Sequence, residues 1–419
     1  MKRRLFAGGL AALVADVVVR SQVQTPRLLG IVGTDDDFFD DTVIHEIRLN
    51  MNESDWQTLR DRYREDIYFQ GDFRWRDWVV RGVGIRSRGH GSRSGVKPGL
   101  RIDLDHYVTD QKFLGLTYFI LRNQTQDASN LHERISMLLF RRLGIPAPRE
   151  AHTRLYVNDR YWGLYSIVER PDPHFLARNL GEGTGYVYKY DYPVGGTGYY
   201  FEDRGSSPDA YVPLPFQPRT HQTDPRGDVI VQLIQTINQS NEAAWRTAMS
   251  DFLDLRKLVK HVAVEQFLSE QDGFLSDYGG MNNYYFYRYD NKNLFTLIPW
   301  DKSEAFKDGP FRSIFKNITG VPSFKQNRLM ARALAYRDLY DAYLDALLEA
   351  AVSAWETQPD GRTWLQREIE LEYNQVRDAA LADPNKPFSN AQFEQAVDDL
   401  RTFALQRRDS VVQQVNAAR

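Results

Sequence analysis

The run from Val264 to Phe306, VEQFLSEQDGFLSDYGGMNNYYFYRYDNKNLFTLIPWDKSEAF, restricts the fold more than any other stretch. It reads as a helix, a glycine-marked turn and a β-hairpin. Asn283–Tyr289 and Leu294–Ile298 are rich in aromatic and β-branched residues, and Asp290–Asn293 supplies turn residues between them. A turn centred near Asn291 and Lys292 sets Asn283 opposite Asp301, where cross-strand Cβ atoms lie about 5 Å apart. Asp272 stands on the turn leading into the hairpin. An amide and two carboxylates meeting at a strand end is the oxygen-rich set that a hard cation bridging phosphates needs. The same spacing equally suits a buried hairpin whose polar ends cap a turn.

The rest of the chain supplies a core for this unit. Of 419 residues, 42% are hydrophobic and 13% aromatic, enough for one large or two ordinary domains. The net charge of −3, with no basic block beyond the first four residues, argues against a nucleic-acid partner or an anionic membrane surface. Cysteine is absent, which removes disulfides, thiolate metal sites and a cysteine nucleophile. Residues 1–25 have a basic head and a short apolar run, like a signal peptide, although Asp16 interrupts the run and no clear cleavage site follows. Export to the cell envelope is the expectation, with an ordinary frayed terminus as the alternative. No other segment is expected to cross a bilayer.

Along the chain, 26–42 reads as an acidic solvated linker and 43–191 as a β-rich part. In the latter, Gly82–Pro98 sets glycines beside arginines and Lys97. Such a loop either cradles phosphates on its backbone or simply connects two strands tightly. A helix from Ser129 carries Leu131, Ile135, Leu138, Leu139 and Leu143 on one stripe and ends at Gly144. Glu133 falls off that stripe, facing either the strand that bears Lys97 or water. Residues 192–228, rich in Gly, Pro and polar side chains, read as an insertion loop. Residues 229–419 read as helical apart from the hairpin, with Phe393, Val397, Leu400, Ala404, Val411 and Val415 marking a core-facing stripe in the last helix.

In order along the chain, Gly84–Ser92, Lys97–Asp105, Phe113–Leu116, Asp127–Glu133, Gly144–Pro148, Tyr156–Asn158, Trp162–Glu169, Asp272–Gly273, Asn283–Tyr284 and Ile298–Asp301 together resemble the CotH family. These are spore-coat-type proteins that are atypical protein kinases, and the resemblance spans roughly residues 43–408. It implies an α+β, atypical protein-kinase-like two-lobed fold: a β-rich N-lobe and a mostly helical C-lobe with a metal-site β-hairpin. It also implies ATP with Mg²⁺ or Mn²⁺ as cofactors and a protein substrate with a Ser/Thr acceptor. Lys97 is then expected to hold the α- and β-phosphates with Glu133 as its ion-pair partner. Arg88, Gly89 and Ser92 are expected to cover the phosphates, and Glu169 to lie near the adenine. Asp301 and Asn283 become the metal ligands and Asp272 the base, with Asp277 as a rival.

This chain departs from the family pattern in places. Ser303 stands where many members are acidic, His132 where an arginine is common, and His90 where an asparagine is usual. Asp272 and Asn283 lie farther apart than in the tight loop of ordinary protein kinases. A non-catalytic coat or surface assembly protein on the same fold is therefore the alternative function. Carbohydrate hydrolysis through Asp272 and Asp301 finds no glycosidase motif, and no His-Glu-x-x-His supports a zinc hydrolase.

Overall fold

The computed structural model describes residues 33–191, 198–239 and 241–419, so the expected signal segment lies outside the described residues. The first part alternates inward apolar and outward polar residues with period two, as in β1 (His45–Met51), where Ile47 and Leu49 point in. With β2 (Phe69–Trp75), β3 (Trp78–Arg88), β4 (Gly99–Asp103), β5 (Tyr118–Arg122), β6 (Glu150–Val157) and β7 (Arg160–Val168), it closes into a barrel. The strand order is β1-β2-β3-β4-β5-β7-β6. The seam between β1 and β6 is parallel and every other pairing antiparallel. Closure leaves the barrel no free sheet edge.

Aromatic rings fill one end of the barrel. Phe38 meets Trp75, Phe113 and Phe119 edge-on at centroid distances of 5.4, 5.2 and 5.0 Å. Phe38 closes α1 (Asp35–Phe38), a short helix inside the stretch expected to be a solvated linker. That expectation is corrected. The acidic residues do face outward, and Asp35 bonds Arg149 at 2.5 Å, but Phe38 and Phe39 are core. Between β1 and β2 lies α2 (Glu53–Asp61), capped by the Asn52 side chain. The expected helix with Glu133 is α3 (His132–Arg142).

After α4 (Pro173–Leu180), the chain builds a second sheet in the order β11-β10-β8-β9. Its strands are β8 (Tyr186–Tyr190), β9 (Phe216–Pro218), β10 (Tyr284–Arg288) and β11 (Phe295–Pro299). Two boundaries therefore change. The strand at 186–190 belongs with the hairpin rather than with the barrel. The 192–228 stretch is not merely a polar loop, because it supplies β9 and the buried rings of Tyr199, Phe201, Tyr211 and Phe216. The hairpin forms where expected but one residue out of register: Tyr284 pairs with Pro299, and Trp300 N donates to Asn283 O at 3.1 Å. Asn283 thus faces Trp300, not Asp301.

The remaining helices are α5 (Gly227–Asn238), α6 (Glu242–Met249), α7 (Leu255–Phe267), α8 (Arg328–Leu334), α9 (Arg337–Ala354), α10 (Trp364–Leu381) and α11 (Asn390–Ala418). Helices α8 and α9 are separated at Tyr336, which leaves helical geometry at the N-cap position of α9. Helix α7 is buried along most of its length, His261, Glu265 and Gln266 included, and it packs against β11 and α9. The α11 stripe from Phe393 to Val415 is buried as its period required. No helix among the described residues is long and apolar enough to cross a membrane.

Candidate functional site

A cleft of about 520 Å³ runs between the β3–β4 loop, the second sheet and the segments around Asp272 and Asp301. Arg88 ends β3, and the glycine-rich residues after it form one wall. Gly89 has φ +116°, and a Cβ there would stand 2.6 Å from Ser92 Oγ, so only glycine lets this loop fold back on itself. Arg88, Gly89 and Ser92, expected over the phosphates, all line the cleft.

The opposite wall carries the hairpin's polar end. Asn283 and Asp301 both leave strand geometry, with φ of +53° and +50°, and this turns both into the cleft despite the shifted register. Asn283 Nδ2 donates to Asp272 Oδ2 at 3.0 Å, and Asn282 Nδ2 donates to the same oxygen at 2.8 Å. Burial pushes Asp272 up to about 6, against the hydrogen bonds from Ser276 and Asn282. Asp301 moves the other way. Burial opposes its charge, but the Arg122 guanidinium outweighs that and holds the carboxyl at about 2. Ser303 Oγ also donates to Asp301 Oδ1 at 3.0 Å. Asp272, Asn283 and Asp301, gathered by expectation, are gathered in the structure.

Beneath this wall, Lys302 Nζ bonds Glu265 Oε1 at 2.6 Å and Asn283 O at 3.1 Å. Burial raises the Glu265 carboxyl, yet Lys302 and His261 bring it to about 2, whereas neighbouring Glu270 is pushed by burial to about 8. Gly273 lets the Glu265 carboxylate approach, since a Cβ there would meet it at 2.5 Å. One buried lysine thus fixes the backbone that presents Asn283.

Three expected roles do not match their positions. Lys97 is sealed away from the cleft, and its Nζ bonds Asp383 Oδ2 at 2.6 Å with both side chains 1% exposed. Glu133 pairs instead with Arg122, its Oε2 lying 2.6 Å from Nε. The strand order explains this correction. Lys97 precedes β4 and projects toward the α10–α11 connection, while Arg122 ends β5 beside the start of α3. Glu169 is likewise absent from the cleft: its carboxylate is held by Arg149 at 2.7 Å and Arg178 at 2.6 Å. The rival base, Asp277, is engaged by Arg312 at 2.7 and 2.8 Å.

Sequence reasoning missed Arg122, Glu150, Arg170 and Arg219. Arg122 stands in the sequence as a charge ending the apolar run Tyr118–Leu121, which by itself suggests only the end of a strand. Arg170 and Arg219 carried no local pattern. Burial pushes Glu133 to about 7, and burial together with the Glu133 charge lifts Glu150 well above the carboxylate range.

Among the described residues no three acidic, histidine or cysteine side chains form a metal-binding group. The donor set on the cleft is two carboxylates and two amides, all with hard oxygen donors. A cation that keeps several waters and takes phosphate oxygens needs no more than one or two protein carboxylates, so the set fits Mg²⁺ or Mn²⁺.

Comparison with known proteins places this geometry in context. The CotH kinase protein family matches residues 85–411. The inner spore coat protein H of Bacillus subtilis (strain 168) is 23% identical over 294 residues, which is 70% of this chain and 76% of that protein. The crystal structure of a Helicobacter pylori proinflammatory kinase, CtkA, aligns over 76% of this chain and 94% of that one, at a TM-score of 0.30 and 8% identity. That likeness is too distant to define a fold. The family match takes in most of the chain, from β3 to α11 and with it both walls of the cleft, and the protein belongs to the CotH family.

Proposed function

We propose that the cleft binds ATP with Mg²⁺ or Mn²⁺ and transfers the γ-phosphoryl group to a Ser or Thr hydroxyl of an exported or cell-envelope protein. In this reading the barrel and the helical part act as the two lobes of an atypical kinase. The observation that carries it is the convergence of Asp301, Asn283 and Asp272 on one wall, facing the Arg88–Ser92 loop on the other.

The roles follow from charge and position. Asp301, ionised at every physiological pH, and Asn283 Oδ1 would hold the cation, which when bound neutralises charge on the phosphates. Asp272 carries its charge above about pH 6 and takes the proton from the acceptor hydroxyl. The acceptor oxygen forms its bond to phosphorus as the bond to the ADP oxygen breaks, so protons and charges balance. Arg122, braced by Glu133, offers the fixed positive charge beside Asp301 that was expected of Lys97. Phosphoryl transfer depends chiefly on such positioning and charge neutralisation.

The test is a thermal-shift titration with ATP and Mg²⁺ or Mn²⁺, run beside Asp301→Ala. Ligand at about a hundred times its Kd adds about 2.7 kcal/mol of stability. A metal-dependent shift that is lost in the variant, with transfer lost alongside it, is the expected result. An active Asp301→Ala protein overturns the reading.

A second reading draws on the Arg122–Asp301 ion pair, which already satisfies the expected metal ligand, and on Ser303 in place of an acid. A non-catalytic assembly protein on the same fold suits these features and the coat role named for the Bacillus relative. It predicts no nucleotide shift with any metal.

A further inference from the structure

The cleft has two poles. Asp272 and Asp301 occupy one; Arg170, Lys189 and Arg219 gather around the buried Tyr285 side chain at the other, with Arg88 between the two, near both Tyr285 and Asp301. These four cations come from four separate places: the end of β3, the residue shortly after β7, strand β8 and the residue after β9. The fold therefore assembles like charges that repel one another, a cost that a free surface would not carry.

Their partners do not discharge them. Lys189 has Asp191 at 3.9 Å, but Arg88, Arg170 and Arg219 have no carboxylate at ion-pair distance among the described residues. The buried Nε atoms of Arg170 and Arg219 make no hydrogen bond. Arg170 and Arg101 both lie over the Tyr118 ring, at 4.2 and 3.8 Å, which fixes the two guanidinium planes. Burial pulls Arg88 and Arg170 down to about 10. Half-buried guanidinium groups without a carboxylate partner, one of them held in plane over a ring, are suited to phosphate oxygens.

We infer that this pole is a metal-independent phosphate site, in which Arg88, Arg170 and Arg219 grip phosphoryl oxygens of a polyphosphate ligand directly. The inference shares its cleft with the proposed kinase reading but does not need Asp301 or a metal ion.

The experiment is binding to the purified full chain in EDTA at low salt, by calorimetry and thermal shift, with tripolyphosphate, ATP and adenosine as probes. Tripolyphosphate and ATP are expected to bind and adenosine not to. Arg170→Gln and Arg219→Gln should each weaken tripolyphosphate by about tenfold to a hundredfold, while Asp301→Ala leaves it unchanged or tighter. Lys189→Gln, with its charge already shared with Asp191, should cost less and serves as a second variant. Adenosine binding as well as ATP, or tripolyphosphate failing to bind in EDTA, overturns the inference; so does undiminished binding in folded Arg170→Gln and Arg219→Gln proteins. Metal-dependent ATP binding that ignores both arginines leaves the kinase reading standing and sinks this one. Metal-free tripolyphosphate binding with no effect of Mg²⁺ or Mn²⁺ on ATP does the reverse.

Discussion

Two buried cations, Lys97 and Arg122, tie the barrel to the rest of the chain, and they sit in opposite settings. Lys97 meets a single carboxylate, Asp383, whose Oδ2 also accepts Leu164 N at 2.9 Å. Gly163, with φ +146°, leaves room for that carboxylate, which a Cβ would meet at 2.5 Å. The junction is closed to solvent. Arg122 has two partners, Glu133 behind it and Asp301 before it, and Asp301 opens onto the cleft. A buried pair with no access to solvent acts as a structural pin, whereas one that shares its charge with a cleft carboxylate can respond to a ligand.

The largest expected effect falls on chemistry. Asp301→Asn should lower phosphoryl transfer by about a thousandfold, the scale of losing one charge-stabilising group in a site. Lys97→Met combined with Asp383→Leu should leave the initial rate per folded molecule within a few-fold of the parent. A folded double variant without activity would return Lys97 to the phosphates and erase the contrast.

Stability sharpens it next. Lys97→Met alone strands a buried Asp383 and should cost about 3–5 kcal/mol by urea unfolding, most of it recovered when Asp383→Leu is added. Gly163→Ala should cost about 1–3 kcal/mol by the same measurement, through its positive φ and the crowding of Asp383, with the nucleotide response of the folded fraction intact. An equal loss of nucleotide response would mean that the two junctions are coupled.

The smallest effect is in pH. Glu133, at about 7, and Glu150, lifted well above the carboxylate range by burial and the Glu133 charge, are raised above their unfolded values, so each favours the protonated folded state. Their stabilisation is complete below about pH 4.5 and is lost as pH rises through 7, with a slope of at most about 1.4 kcal/mol per pH unit for one proton. Glu150→Gln should flatten that slope in unfolding curves taken from pH 5 to 8. A slope unchanged by Glu150→Gln would place the titration elsewhere.

Much of the fold was legible because its signals are local. The period-two run of β1, the stripe of α11 and the turn residues Asp290–Asn293 each constrain their own few neighbours. The hairpin's register shows the limit of such reading. A four-residue loop centres between Asn291 and Lys292, and placing the centre on Lys292 shifts every partner by one. The acidic stretch before β1 failed for a related reason: Phe38 and Phe39 are two rings among aspartates, and only a barrel mouth shaped to receive them makes them core.

By itself the sequence determined most of the helices and strands, though not α1 or β9, together with the glycines of the Arg88–Ser92 loop and the two carboxylates and one amide gathered at Asp272, Asn283 and Asp301. Tertiary structure alone decided which cation meets which anion. Lys97 and Arg122 are both cations beside β-strands, and Glu133 and Asp383 both carboxylates. Barrel closure and the return of the α10–α11 connection match Lys97 with Asp383 and leave Arg122 to Glu133 and Asp301. Charge pairing acts over a few ångströms between residues up to 286 positions apart, and no local pattern records it.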